Sequence, residues 1–446
     1  MTEDRYVAAI EVSSSKVIAA VGKMHSDGRL DILSTEQERG VETVKYGIIQ
    51  NLEETAMRIR RVLERLQSKA VVAPRVITGV YVGLSGRSMR SIRTEVELNL
   101  PDDTEITDEI IRKLREQATN TAIDSSLVVI SAIPRIYHVG TTETLSPKGA
   151  VGNKIRAVYD LIVCRPDLRR NLSRTIEEKV NLRILGYEVT ALAAADIVLT
   201  NEEKRLGCML VDMGAETTSV SIFKDGSLKY FATLPLGGRN ITRDITSLSV
   251  LEERAEEIKI TMGNAMARNS GTSLNLSGIN TSDVNNIIVE RAEEIVANII
   301  EQINYAGMKD SDLPAGIICI GGGSRLNGII DLIARQTGLN VSRGKLPTYI
   351  TVGDIKATNE LFEVTGILYA AAKKDDIECL ELPNHQELPH IGEGNEPNDG
   401  DDDDDDDVTN EEKSPRKSGN KFWEKTRKRI SNMFAGSYAD DSDLLE

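Results

Sequence analysis

The sequence has few of the residues that build disulfide scaffolds, metal centres or membrane spans. Among 446 residues there are four cysteines and four histidines, and neither type recurs at the short spacing of a metal-binding motif. The cysteines are also too sparse for a disulfide framework, as is usual in a reducing cytosol. No stretch approaches the roughly 18 apolar residues that a spanning helix needs, and the N-terminal "MTEDRYVAAIEV" lacks the basic region that opens a signal peptide. We therefore expect no Cys or His metal chemistry and no membrane span, whereas Mg²⁺ held by carboxylates stays open.

Negative charge is concentrated at the end of the chain. The net charge is -16, of which residues 383–446 carry -10. Thirteen acidic residues and no Lys or Arg lie in 383–412, whereas 413–434 hold eight basic residues and one acid. Residues 1–382 are thus only mildly acidic and show no basic patch, which predicts that nucleic acid is not a partner.

The first 382 residues alternate β-rich and helical stretches, as α/β proteins do. Two stretches read as strand–turn–strand, "YVAAIEVSSSKVIAAVG" at 6–22 and "GCMLVDMGAETTSVSIFKDGSLKYFATLPLGG" at 207–238, and Asp225-Gly226 is typical of a hairpin turn. "AGIICIGGGSRLNGIIDLIARQTG" at 315–338 predicts a strand, a glycine loop and a helix. Further helices are predicted near 107–123, 169–185, 189–200, 251–267 and 284–306. After residue 382, Pro, Gly, Asn and Asp predict a disordered linker.

Three of these loops have the composition of phosphate-binding turns. Small or hydroxylated residues in a tight turn let backbone N–H groups point at an anion, and a glycine loop before a helix adds the helix dipole. Each loop alone is weak evidence, because most such turns are only structural. Their order, with two phosphate hairpins followed by a helix and a glycine loop, is typical of a duplicated fold that closes over ATP.

The chain resembles the actin, heat-shock-chaperone and sugar-kinase superfamily and, within it, the FtsA family of bacterial cell-division proteins. "EVSSSKV" resembles the first phosphate segment, "LVDMGAETTSV" the second, "GIICIGGGSRLNGI" the adenosine segment and "LPLGGRNITRDI" the connection before it. "AEEIKITMG" resembles the helix near ribose and adenine, although an i,i+3 ion pair on a solvated face explains its Glu and Lys equally well. "VYVGLSGRS" and "SAIPRIYHV" resemble parts of the extra subdomain of that family. The match covers residues 5–375.

The resemblance implies a nucleotide site, with ATP and Mg²⁺ as cofactors. Glu11 takes the place of the superfamily's usual aspartate, and Asp212 is the second carboxylate on the Mg²⁺ side, both acting through water. The implied nucleotide-binding residues are Glu11, Ser13, Ser14, Ser15, Lys16, Asp212, Gly214, Ala215, Glu216, Thr217, Gly237, Gly238, Glu256, Lys259, Gly321, Gly322, Gly323 and Ser324.

The expected fold class is α/β: an actin-like duplicated fold with an inserted FtsA-type subdomain, a disordered acidic linker and a C-terminal amphipathic helix. The resemblance divides the chain as follows: 1–83 subdomain 1A, first part; 84–165 inserted subdomain 1C; 166–203 subdomain 1A, second part; 204–242 subdomain 2A, first part; 243–311 subdomain 2B; 312–355 subdomain 2A, second part; 356–382 a helix returning to 1A; 383–420 the linker; 421–435 the amphipathic helix; and 436–446 an acidic tail.

Two departures from the superfamily pattern argue against rapid catalysis. The second phosphate turn is usually a run of glycines before Thr, but here Glu216 lies in it, and its charge repels phosphate unless it turns away or meets a cation. Hydrolytic members place Glu or Gln before the Ala-rich helix to orient water, whereas Thr190 or Ala191 stands here and neither can act as a base. We therefore expect ATP binding with at most slow hydrolysis.

The segment "FWEKTRKRISNMF" at 422–434 has the pattern of an interfacial helix. At about 100° per residue its large apolar side chains share an arc of roughly 120°, and cations occupy the rest. Such a helix lies on a membrane surface and is too short to cross it. Alternatives are a helix docked on the protein's own core or a calmodulin-like target peptide. The implied membrane-binding residues are Phe422, Trp423, Arg427, Lys428, Ile430, Met433 and Phe434.

These expectations combine into a division protein that polymerises at the cytoplasmic side of the cell membrane, at the septum. By resemblance its partners are the C-terminal peptide of the tubulin-like FtsZ, other copies of itself in head-to-tail filaments, an anionic membrane surface and later division proteins. Arg291 is one candidate contact for the acidic peptide, although an exposed pair with Glu294 is the simpler interpretation. Rival hypotheses are another actin-like ATP-binding, membrane-associated scaffold or a small-molecule kinase of the same fold. Pilus-assembly actin-like proteins are also similar, but they lack the terminal amphipathic helix.

Co-sedimentation with liposomes tests the amphipathic helix. We expect the intact chain with ATP to pellet, and more on anionic than on neutral vesicles, because the cations add to apolar insertion. Trp423→Glu and a chain ending at residue 419 should stay in the supernatant. Equal behaviour of all three would mean that the helix has another partner.

Overall fold

The computed structural model describes residues 4–40, 42–268, 275–276, 279–353, 361–374 and 378–382, with side chains left undescribed at 275–276 and 279. All of them lie in the first of the chain's two units, Met1–Asn384. The predicted linker at 383–420, amphipathic helix at 421–435 and tail at 436–446 lie outside the described residues. The domain boundaries given above stay predictions.

The strands of the described residues, labelled in chain order, are β1 (Arg5–Val12), β2 (Lys16–Met24), β3 (Leu30–Arg39), β4 (Val44–Lys45), β5 (Ile48–Ile49), β6 (Val76–Ile77), β7 (Gly79–Leu84), β8 (Arg90–Glu105), β9 (Val128–Val139), β10 (Thr142–Thr144), β11 (Val151–Cys164), β12 (Arg183–Val189), β13 (Cys208–Met213), β14 (Thr218–Lys224), β15 (Ser227–Leu234), β16 (Asn275–Leu276), β17 (Ile279–Asn280), β18 (Ile317–Ile320), β19 (Val341–Arg343), β20 (Ile350–Val352) and β21 (Leu380–Glu381).

The α-helices of the same residues are α1 (Leu52–Gln67), α2 (Asp108–Thr119), α3 (Pro166–Ser173), α4 (Thr190–Val198), α5 (Asn201–Leu206), α6 (Gly238–Ile245), α7 (Glu252–Met262), α8 (Thr281–Tyr305), α9 (Ile329–Thr337) and α10 (Phe362–Ala372).

Two sheets repeat one arrangement. In the first, the order β12-β7-β1-β2-β3-β20 combines an antiparallel β1-β2-β3 meander with the parallel strands β7 and β12. In the second, β13-β14-β15 form the meander and β18 and β19 run parallel beside β13. We call the first sheet, its helices and the β4–β5 hairpin, whose Val44, Ile48 and Ile49 share its core, the first half, and the second meander with α6–α9 the second half. The predicted α/β architecture is confirmed.

Residues 90–164 form an antiparallel extension of the second sheet and have a core of their own. β8, β9, β10 and β11 pair with one another, and α2 packs on them. Tyr159 and Ile106 lie among the fully buried side chains of this core. The extension joins the second sheet where β8 pairs with β15, at Arg90 and Ala232. An inserted segment thus lengthens an existing sheet edge.

Local sequence explains many element ends. Asn51 caps α1, because its side chain accepts from the amide of Glu54. The Asp225-Gly226 turn joins β14 to β15 with positive φ at both residues, which confirms the predicted hairpin.

The helix predicted at 169–185 is wrong beyond residue 180. A π-helical stretch, Arg174–Val180, follows α3, and Asn181 ends it in the left-handed conformation with φ 61°. The chain then enters β12, which pairs in parallel with β7. Partnering within the buried sheet therefore prevails over the helical periodicity of "RRNLSRTIEEKV".

The halves share packing through α4 and α10. Buried residues of the first sheet, of both helices and of β13 and β18 form one continuous core. Gly366 of α10 lies so close to α4 that an added Cβ would stand 2.5 Å from the carbonyl carbon of Ala193. This close approach requires glycine.

Gly366→Ala should therefore lower the free energy of unfolding by about 1–3 kcal/mol, the usual cost of overpacking a core. Urea denaturation measures it. The matched control is Gly353→Ala, where an added Cβ meets only the Ile32 carbonyl oxygen at 3.9 Å. Equal stability of both variants would contradict the tight α4–α10 contact.

Candidate functional site

The turn between β1 and β2 is closed by its own backbone. The amide and hydroxyl of Ser13 donate to the Lys16 carbonyl oxygen, at 2.9 and 3.1 Å. Ser14 is buried, and its hydroxyl accepts from the amide of Gly47 at 3.3 Å. The predicted strand–turn–strand is confirmed, and the predicted residues 13–16 all lie at this turn.

The second predicted turn lies beside the glycine loop. It joins β13 to β14, and the Gly214 amide donates to the Thr217 carbonyl oxygen at 2.8 Å. Since β13 pairs in parallel with β18, Asp212 stands opposite Ile320. The next residue, Gly321, has φ 80°, and an added Cβ would lie 2.6 Å from Asp212 Oδ1. Two segments about a hundred residues apart thus meet.

Three carboxylates, Glu11, Asp212 and Glu363, lie close together with Lys16. Burial raises the pKa of Glu11 to about 7, although Lys16 opposes the shift and Glu363 adds to it. Burial, Glu363 and Glu11 also raise the pKa of Asp212 well above its ordinary range. One oxygen of Glu11 and one of Glu363 accept no hydrogen bond within the described structure. This pocket therefore favours a proton or a cation.

No three Asp, Glu, His or Cys side chains in the described ranges are arranged to hold a metal ion by themselves. Mg²⁺ in nucleotide sites is usually bound through one or two carboxylates, with waters and phosphate oxygens completing the octahedron. The buried oxygen of Glu11 and the neighbouring Asp212 fit that smaller contribution.

Glu216 meets cations, which resolves the conflict expected from its place in the phosphate turn. The side chain is buried, and its carboxylate accepts from the Tyr46 amide at 2.7 Å and the Ser14 hydroxyl. Arg239 and Arg243 of α6 donate to its other oxygen, at 3.3 and 2.9 Å. These donors outweigh burial and lower the pKa of Glu216.

Gly237 and Gly238 support the second turn. The amide of Gly238 donates to the Gly214 carbonyl oxygen at 3.0 Å, and that of Arg239 to the Ala215 carbonyl oxygen at 2.7 Å. An added Cβ at Gly237 would lie 2.6 Å from the Ala215 carbonyl oxygen. The N-terminus of α6 is thus fixed against the turn.

Glu256 and Lys259 lie on one face of α7, as their spacing predicts. Lys259 Nζ donates to Glu256 Oε2 at 2.6 Å, to Thr242 Oγ1 at 2.9 Å and to the Gly238 carbonyl oxygen at 3.1 Å. Burial lowers the pKa of Lys259, although Glu256 opposes the shift. The i,i+3 pair exists, but it is partly buried and ties α7 to α6.

The glycine loop differs from its prediction. Residues Gly322–Arg325 form a 3₁₀ turn, with Ser324 Oγ donating to the Gly321 carbonyl oxygen at 2.8 Å, and α9 begins only at Ile329. The dipole of α9 is therefore not at residues 321–323. An added Cβ at Gly323 would touch Met213 at 3.0 Å, whereas one at Gly322 meets nothing within 4 Å. The open side of the loop is at Gly322.

Arg291 of α8 has partners within the second half. Its guanidinium binds both carboxylate oxygens of Asp244 and also Glu294, so the predicted pair with Glu294 is present. The role of Arg291 toward a peptide stays a prediction.

The membrane-binding residues, Phe422, Trp423, Arg427, Lys428, Ile430, Met433 and Phe434, lie outside the described residues. Within the described part of the chain, no helix has the length and apolar character to cross a membrane.

Sequence reasoning missed three contributors to the site, namely Glu363, the β4–β5 turn and the α6 pair Arg239 and Arg243. Glu363 is the one acidic residue in the otherwise apolar or neutral helix "FEVTGILYAAA", a signal that could have singled it out. The β4–β5 turn brings Tyr46 and Gly47, with φ 51° and 84°, to Glu216 and Ser14. That approach depends on tertiary contacts and has no local sequence signal.

Glu216→Gln should lower the free energy of unfolding at neutral pH by about 1.5–3 kcal/mol, since bonds to a charged partner are lost. Because the pKa of Glu216 is lowered on folding, its contribution is present above the unfolded value of about 4.5 and is lost as pH falls through the folded value. The difference between wild type and variant should therefore shrink in acid. Urea titrations from pH 7 to pH 3 measure both effects.

The matched control is Glu252→Gln. Glu252 also pairs with Arg239, at 3.7 Å, but is half exposed. Its loss should cost less than about 1 kcal/mol. A pH-independent difference for Glu216→Gln would contradict the ionised state proposed for this side chain.

Comparison with known proteins gives consistent results. The family model described as "Cell division protein FtsA" matches residues 209–355, and that described as "SHS2 domain inserted in FTSA" matches residues 86–163. The cell division protein FtsA of Porphyromonas gingivalis is 29% identical over 377 residues, covering 82% of this chain and 78% of that protein. FtsA of Bacillus subtilis is 28% identical over 367 residues, covering 79% and 81%.

A solved structure, the PilM-PilN type IV pilus biogenesis complex, is similar in fold. It has a TM-score of 0.59 at 15% identity and covers 83% of this chain and 99% of that one. The fold is therefore the predicted actin-like α/β fold with an inserted SHS2 domain. Both matching models and the curated relatives agree, and the chain belongs to the FtsA family of cell division proteins.

Proposed function

We propose that this chain is an ATP-binding, polymerising adaptor that anchors the FtsZ ring to the cytoplasmic face of the cell membrane at the division septum. The observation that supports the nucleotide site is the meeting of three separate segments. The β1–β2 turn meets the β13–β14 turn through Ser14 and Glu216, and the loop at Gly321 lies against Asp212. Turns of small residues that meet between two halves of a duplicated fold suit a phosphate chain.

In this proposal each segment has a separate task. The amides of the two turns face the phosphates, and Glu11 and Asp212 hold Mg²⁺ through water. Mg²⁺ would supply charge neutralisation of the phosphates. The open side of Gly322 admits the adenosine, and Glu256 and Lys259 on α7 lie toward the ribose and base.

Hydrolysis is proposed to be slow. Thr190 is the first residue of α4, at about the position where hydrolytic members of the superfamily place Glu or Gln. Its buried hydroxyl makes no hydrogen bond within the described structure, and a hydroxyl is too weak a base to activate water. ATP would then stay bound and serve as a signal for polymerisation.

The remaining functions are assigned to other parts of the chain. Residues 84–165 would contact the next subunit in a head-to-tail filament. Residues 243–311, including Arg291, would receive the FtsZ peptide, and later division proteins would be recruited to the assembled filament. The helix at 421–435 would bind anionic lipid, on a linker of roughly 38 residues that spans about 35 Å or more.

Co-pelleting of FtsZ polymers with anionic vesicles tests this function. Intact protein with ATP and Mg²⁺ should bring FtsZ to the vesicles, because many weakly binding helices linked in one filament act together. Trp423→Glu should leave FtsZ in solution, because it puts a charge on the apolar stripe of every helix. The matched control is Tyr438→Glu, the same aromatic-to-acid change beyond the proposed helix.

A second arm uses FtsZ without its C-terminal peptide. That polymer should stay in solution although the adaptor itself pellets. If intact protein binds vesicles but never carries FtsZ, the adaptor function is wrong and only membrane association remains.

A further inference from the structure

The Glu216 carboxylate connects the two halves of the molecule. It belongs to the β13–β14 turn of the second half, yet it accepts from the Tyr46 amide at 2.7 Å and from the Ser14 hydroxyl, both in the first half. Only 2% of this residue is exposed, so the contacts are shielded from water. One anion thus receives donors from both sides of the interface.

The donors of the first half are held in place. Tyr46 has φ 51°, and an added Cβ at the next residue, Gly47, would lie 2.1 Å from the Ser85 carbonyl oxygen. Arg87 lies over the Tyr46 ring at 5.1 Å, and its amide donates to the Tyr46 carbonyl oxygen at 3.1 Å. The turn that presents the Tyr46 amide is therefore pinned.

The donors of the second half supply the balancing charge. Arg239 and Arg243 both bind the carboxylate from α6, and Arg243 also donates to the side chain of Tyr46. Bonds of this charge-assisted kind are the strong ones, particularly where water is excluded. The set of two guanidinium groups, one amide and one hydroxyl is the kind of surrounding that a phosphate group receives elsewhere.

We propose that Glu216 takes the place of a nucleotide's terminal phosphate as the anion that holds the two halves together, so that closure needs no triphosphate. This proposal rests on the proposed nucleotide site. Ser14 is the middle residue of the first phosphate turn, and its hydroxyl is already engaged by Glu216. A terminal phosphate that uses the same donor must share it with a carboxylate of like charge. The halves are then closed with ADP, or with no nucleotide, as they are with ATP.

The distance between the halves tests the proposal. Met57 on α1 and Ile260 on α7 are exposed, and the four native cysteines are buried, so Cys introduced at 57 and 260 accepts spin labels selectively. Double electron–electron resonance then measures the label distance without nucleotide, with ADP and with ATP. Wild-type Glu216 should give one narrow distribution in all three states.

Glu216→Gln should shift the nucleotide-free distribution to longer distances by several ångströms, and ATP should reverse the shift more completely than ADP. Glu252→Gln, which removes a charge beside Arg239 within the second half alone, should behave like wild type. If Glu216→Gln does not fold, Arg243→Gln takes its place, because it removes contacts to both Glu216 and Tyr46. An unchanged distribution in the folded variant without nucleotide overturns the proposal.

Binding of a fluorescent ATP analogue is measured in parallel. If wild type binds no nucleotide, the proposed cofactor is wrong, whereas the nucleotide-free distances still decide whether Glu216 closes the halves. If wild type binds ATP and Glu216→Gln binds it at least as tightly, the proposal that Glu216 takes the place of the terminal phosphate is supported. A several-fold loss of ATP affinity in the variant, with ADP unaffected, would overturn it.

Discussion

The parallel pairing of β13 with β18 is the constraint on which the candidate site depends. It sets Asp212 opposite Ile320 and so brings the glycine loop against the second turn. Because side chains alternate across a strand, a shift of one residue would turn Asp212 to the other face and separate it from Gly321. The antiparallel β13–β14 ladder then fixes where the turn lies, and α6 is bonded to that turn through its first amides. The positions of the β13–β14 turn, the glycine loop and α6 in the site therefore depend on this register.

Burial of charge explains the contrast between two groups of carboxylates. Lys16 is the cation that faces the group of Glu11, Asp212 and Glu363. Burial nevertheless raises the pKa values of Glu11 and Asp212. Glu216 is also buried, but donors from both halves surround it and lower its pKa. A carboxylate in the first situation favours a proton or a cation, whereas one in the second is a stable anion. The site therefore has a place for a cation at Asp212 and a fixed negative charge at Glu216, on the turn that follows the same strand.

Much of the fold was predictable, because it rests on local patterns. Strand–turn–strand units, the Asp225-Gly226 hairpin and most helices follow from periodicity and turn chemistry, and the order of the loops pointed to a duplicated fold. The helix that was predicted to continue through residues 181–185 is absent for a definite reason. Those residues continue a helical pattern, but β12 gains partners in a buried parallel sheet that no local signal reveals. Likewise, the 3₁₀ turn after Gly321 displaced the expected helix start to Ile329.

By itself the sequence determined which residue types are available at each loop: hydroxyls at 13–15, glycines at 321–323 and a carboxylate at 216 in a turn that resembles a phosphate site. Only the tertiary structure decided what that carboxylate does. The Tyr46 amide comes from a hairpin 170 residues away in the chain, and Arg239 and Arg243 come from the helix behind the turn. Spacing in the chain cannot specify these contacts, because they depend on how the two halves close on each other. The same is true of Glu363, whose place beside Asp212 follows from the packing of α10 against the first sheet.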